Sequence, residues 1–107
     1  MNLNLENLFK EMAKTAGETL QGESGNLGGE VLLILDKNRE SIAELVKARS
    51  NGDINEEEFN VELQREKAIL EAEMFSLEIV SKSAVQKAMN AAMDTLTNAV
   101  EMAFISN

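Results

Sequence analysis

Between Glu56 and Phe104 this chain of 107 residues contains no glycine and no proline. Nothing there breaks a helix, and the Ala, Leu, Glu, Lys and Met that fill much of it sustain one. About 49 residues in a single helix would form a rod about 73 Å long. A compact monomer of this length has a radius of gyration of about 13 Å. The two lengths conflict. Either the rod bends near Ser81, Lys82 and Ser83 and folds back, or its second half is covered by the first helix and by another chain.

The N-terminal half supplies candidates for that cover. Leu5, Leu8, Phe9, Met12, Ala16 and Leu20 recur at steps of three and four, which predicts a first helix over 3–20. Glu6 and Lys10 form an i,i+4 pair with the acid on the N-terminal side. Five of the six glycines fall between 17 and 29, so residues 21–29 read as a loop or hinge. The order Gly22, Gly25, Gly28, Gly29 matches neither G-x-G-x-x-G nor G-x-x-x-x-G-K-[ST], and no phosphate loop is expected. A second helix is predicted over 30–50, with Val31, Leu35, Ile42, Leu45 and Val46 as its main stripe. Leu32, Leu33 and Ile34 widen the stripe, so that end needs cover on more than one side. Asn38 falls on the stripe. It is either a seam residue that fixes register or oligomeric state, or a half-exposed side chain at the stripe's edge.

Residues 47–59 carry stop and start signals that agree with one another. Lys47 and Arg49 suit the negative end of a helix, and Gly52 suits the left-handed residue that closes it. Asn55 is the next N-cap, Glu58 completes a capping box, and Ile54 and Phe59 occupy hydrophobic-staple positions. Glu56, Glu57 and Glu58 load the first turn with charge that this end favours. Residues 51–54 therefore form a tight turn, and the expected motif is an antiparallel αα-hairpin. A third helix then runs over 55–104.

The string Gly52-Asp53-Ile54-Asn55-Glu56-Glu57-Glu58-Phe59, preceded by Ile42, Leu45 and Arg49, resembles the SHOCT pattern. That family is a short helical-hairpin module with a Gly-x-Ile-Thr-x-Glu-Glu-Phe core. The likeness covers about 25 of the 107 residues, within 42–70. Asn55 stands where the family has Thr, and both can cap. Where the family has a Lys-rich stretch closing on Leu-Leu, this chain has Glu66 and Lys67, then Ile69 and Leu70. The module usually lies near a C-terminus and here is central. The resemblance implies a helical hairpin with a role in oligomerisation or ligand contact, and no particular site residue.

The chain has no His and no Cys. Disulfides, zinc–thiolate sites, thiol nucleophiles and every Ser-His-Asp or Cys-His arrangement are thereby excluded. So is the Glu-x-x-His ligand set of di-iron bundles. Glu58–Glu62 and Glu62–Glu66 are i,i+4 pairs that could hold a divalent cation weakly, but no calcium-loop pattern accompanies them. No catalytic residue, no cofactor and no resident metal is expected.

Net charge is −9, which argues against nucleic acid or an anionic membrane as a direct partner. The longest apolar run, Val31 to Leu35, is far short of the roughly 18 residues of a membrane span. The start, Met1 to Glu6, lacks the pattern of a signal peptide, so a cytoplasmic protein is expected. Residues 51–75 hold eight acids against Arg65 and Lys67, whereas residues 76–107 hold Glu78, Asp94 and Glu101 against Lys82 and Lys87. From Ala84 to Ile105 the chain is apolar around much of a helix's girth and needs burial on several sides.

These readings predict one all-α domain over 1–107: an N-terminal helix, a hinge, and a hairpin with a long C-terminal arm, assembled as an oligomeric helical bundle. The expected function is a non-catalytic structural, adaptor or chaperone-like interaction protein. It would self-associate, as a homodimer or higher oligomer, through Met89, Met93, Leu96, Val100 and Phe104. Two alternatives stand beside it. Glu58, Glu62 and Glu66 could form an acidic patch that imitates a DNA phosphate track and binds a basic nucleic-acid-binding protein. Or the bundle could bind divalent cations weakly.

Overall fold

The computed structural model describes residues 4–20, 28–77 and 81–106. Among them are five helices and no strand: α1 (Leu5–Thr19), α2 (Gly28–Lys37), α3 (Arg39–Ser50), α4 (Glu56–Phe75) and α5 (Lys82–Ser106). The all-α class expected from the sequence holds.

Local chemistry sets the helix ends. The Asn4 side chain caps α1 by accepting from Asn7 N at 3.1 Å. Gly28 and Gly29, expected in the hinge, open α2 instead. The remainder of that expected hinge, 21–27, lies outside the described residues. Ahead of α4 the expected turn chemistry is present. Asp53 N donates to Ala48 O at 2.9 Å and Gly52 N to Arg49 O at 3.2 Å, with Gly52 at φ +78°. This is the Schellman pair. Asn55 and Glu58 then complete the reciprocal capping box, at 2.8 and 2.9 Å.

One helix expected to be continuous is divided, and of the two arrangements left open for the long third helix the one that bends before Lys82 is found. The second, predicted over 30–50, breaks at Asn38, whose backbone sits at φ −104°, ψ 14°. Asn38 Nδ2 donates to the Ile34 carbonyl at 2.8 Å and to Glu73 Oε1 at 3.1 Å. The amide thus occupies a carbonyl at the end of α2, the kind of local bond that competes with the helix ladder. The third, predicted over 55–104, is two helices. α4 stops at Phe75, where Ser76 Oγ donates to the Glu73 carbonyl at 2.6 Å. Ser81 begins α5: its hydroxyl accepts from Ala84 N at 3.2 Å and its carbonyl from Val85 N at 3.1 Å. Serine at both ends offers the backbone partners outside a helix. Burial weighs more than these bonds, because folding back lets α5 cover its apolar girth with its own chain.

α5 makes its largest contact with α1 and another with α4, while α2 packs on α1. Phe9, Met12 and Ala16 of α1 join Val85, Met89, Ala92 and Leu96 of α5 in one core, with Leu70 and Met74 from α4. Ala88 and Ala92 are buried in that core, and small side chains at a helix contact permit a close approach. Arg39, at the start of α3, lies 5.9 Å from the centre of the Phe9 ring, at the outer limit of a cation–π contact. The chain has a radius of gyration of 13.6 Å and measures 40 × 21 × 20 Å, so the long axis is close to the length of α5, about 37 Å. No described helix is long and apolar enough to cross a membrane.

Candidate functional site

The residues expected to form a self-association surface are core residues of the single chain. Met89, Met93, Leu96 and Val100 are all buried, the most exposed of them at 6 %. A self-association surface there would need a straight rod with one side left over. Once the chain turns back after Phe75, α1 and α4 supply cover from the same molecule. The side chain of Phe104 lies outside the described residues.

The three acids expected to form a patch have three separate environments. Glu58 is exposed and spends Oε1 on the Asn55 amide. Glu62 is half exposed and pairs with Arg65 at 3.1 Å. Glu66 is buried, 9 % exposed, with Oε1 accepting from the Ser41 hydroxyl and Oε2 without a hydrogen-bond partner. Helical geometry accounts for this. Steps of four residues overshoot one turn by about 40° each, so the series rotates from solvent into the α3–α4 contact. Among the described residues no group of three or more acids is placed to hold a metal ion.

A better-defined feature lies at the other end of α4. A cleft of about 230 Å³ opens between α2 and α4, lined by Glu30, Leu33, Ile34, Lys37, Glu73, Ser76 and Leu77. Its apolar wall comes from Leu33, Ile34 and Leu77. Leu33 is 64 % exposed, so a large aliphatic side chain stands open at the mouth. Its polar wall is held in place. Asn38 fixes Glu73 Oε1, Lys37 Nζ stands 3.9 Å from Glu73 Oε2, and Ser76 is bonded to the Glu73 backbone. The wall stands where α2 gives way to α3, because Asn38 sits at that junction and bonds both Ile34 and Glu73.

Beyond the cleft, the side of α4 that holds Glu73 and Ser76 runs back along the helix. Glu62, Ile69, Glu73 and Ser76 are seven, four and three residues apart and share a helix side. Ile69 is 46 % exposed, and Val61 nearby is 54 % exposed. α4 therefore has one buried apolar side and two isolated aliphatic residues in solvent, with the exposed Arg65 between them. The inner side holds Phe59, Leu63, Leu70 and Met74, and the outer one faces solvent with its carboxylates. Sequence patterning points to the acids of this set, Glu62 and Glu73, and not to Ile69 or Ser76. Lys37, Asn38 and Glu73 are brought together across 35 residues, and no local spacing signals that. The polar Asn38 on an apolar stripe is the one available hint.

Comparison of the chain with protein families, with curated proteins and with solved structures returns no match. The functional reading therefore rests on these residues.

Proposed function

We propose that this chain is a non-catalytic protein-interaction module that offers the acidic outer side of α4 to a basic segment of another protein. One observation carries the reading. Residues 51–75 hold −6 of the chain's net −9, and the same segment leaves Val61 and Ile69 in solvent. Clustered carboxylates steer a basic partner and select its orientation, and exposed aliphatic groups beside them give the complex an apolar contact. The SHOCT-like string stands at the head of this side, and the ligand contact implied by that resemblance agrees with it. A DNA-mimicking inhibitor is a special case of the same reading, with Glu66 no longer among its contacts.

The test is affinity for a lysine-rich helical peptide, followed by fluorescence anisotropy at several salt concentrations. Affinity should fall with salt and fall further in Glu57→Lys/Glu62→Lys. A control with equal charge change, Glu11→Lys/Glu18→Lys on α1, separates the α4 side from general attraction. Equal losses in the two double variants would sink the proposal.

A further inference from the structure

We infer that the cleft between α2 and α4 is an anchor pocket for one aliphatic side chain of the partner, flanked in that partner by lysine or arginine. The inference rests on the proposed role of the acidic side of α4 and concerns what is bound at its far end. At about 230 Å³ the cleft is smaller than the roughly 300–1,000 Å³ typical of small-molecule and cofactor sites. It suits a single buried side chain, the way helix-in-groove and peptide contacts are anchored.

The lining chemistry agrees with the size. Leu33, Ile34 and Leu77 present only aliphatic carbon, which selects a leucine, isoleucine or methionine over a polar side chain. Glu30 and Glu73 add carboxylates to the same lining. Glu73 is restrained by Asn38, so it can receive a cation without first being ordered. Its present ion partner, Lys37, is 74 % exposed and 3.9 Å away, a loose pair that an incoming cation can displace. Charge also argues against a second copy of this chain, whose own α4 would set carboxylates against carboxylates. The side of α4 that carries Glu62 and Ile69 leads into the cleft at Glu73 and Ser76, so one extended or helical segment can touch both.

The experiment uses the full chain and a synthetic amphipathic peptide of leucine and lysine, with a control in which serine replaces leucine. Methyl and amide NMR shifts locate the contact, and anisotropy measures affinity. The leucine-containing peptide should move the resonances of Leu33, Ile34 and Leu77. Leu33→Asn, at an exposed position and with its fold checked by circular dichroism, should weaken that peptide by about tenfold and leave the serine peptide unchanged. Glu62→Lys should weaken both peptides. If Leu33→Asn has no effect while Glu62→Lys weakens both, the pocket is refuted and the acidic side stands. If Leu33→Asn weakens binding and Glu62→Lys does not, the pocket stands and the acidic side is refuted. Shifts confined to residues outside the cleft would also overturn the pocket.

Discussion

The Ser41 hydroxyl of α3 donates to Glu66 Oε1 of α4, while Glu66 Oε2 is buried with no hydrogen-bond partner. This is the buried charged side chain of the described core, and one hydroxyl serves it. A carboxylate held this way costs desolvation energy that a single hydrogen bond only partly offsets. The pair's value lies in what happens when one half is removed.

Ser41→Ala should therefore cost more than an exposed serine normally would, about 1–3 kcal/mol, because it leaves Oε1 without a partner as well. Adding Glu66→Leu to that variant should restore most of the loss, since no buried polar atom then lacks a partner. Urea denaturation of the two single variants and the double variant measures the coupling. A Ser41→Ala midpoint equal to that of the parent would show that the hydrogen bond carries no stability.

The same substitution should have opposite signs at two glycines. Gly29 lies in α2 with no atom within 4 Å of the place an alanine β-carbon would take, and its φ is not positive. Gly29→Ala should raise stability by about 0.5 kcal/mol, by lowering the entropy of the unfolded chain and favouring helix. Gly52 has open space too, but it holds φ +78°. Gly52→Ala should lower stability by about 1 kcal/mol through backbone strain alone. Thermal melts of the two variants should move in opposite directions. A shared direction would mean that space, rather than backbone conformation, governs both sites.

Asn55→Ala should cost about 1 kcal/mol by removing the cap of α4, and Asn55→Thr should cost less, because its hydroxyl still accepts from an early amide. Hydrogen exchange at Glu58 would report the loss locally. This turn was legible in the sequence because all its parts lie within a few residues. Gly52, Asn55 and Glu58 each act on backbone groups three positions away, and the chain needs no other segment to specify them.

The helices and their buried stripes were legible too, whereas what was missed or left open depends on contacts between distant segments. Asn38 looks like an edge or seam residue until Glu73 is beside it. Glu58, Glu62 and Glu66 look alike until α3 covers the last of them. The division of the long helix is the plainest case. Ser76 and Ser81 are weak signals in a stretch with no glycine or proline, and what decides is the area α5 buries against α1 and α4. Asn38→Ala tests the tertiary contact. It removes bonds to Ile34 and Glu73 and should cost about 1–2 kcal/mol. Glu73→Gln keeps an acceptor for Asn38 and should cost less, whereas equal losses in denaturant would mean that charge rather than geometry holds the wall.

The placement of Met89, Met93, Leu96 and Val100 inside one chain makes a last prediction that separates a private core from a shared one. Leu96 is 0 % exposed, so Leu96→Ala should cost about 2–5 kcal/mol, the range for deleting a buried leucine side chain and leaving a cavity. Val100→Asp should cost at least as much, because it buries a charge with no partner in view. If each chain completes its own core, the melting temperature of the parent and of Leu96→Ala should be the same at low and high protein concentration. Folding coupled to association makes that temperature rise with concentration. A rising temperature in the parent that is lost in Leu96→Ala would return these residues to an interface between copies. A constant one in both would keep these residues in the core of a single chain.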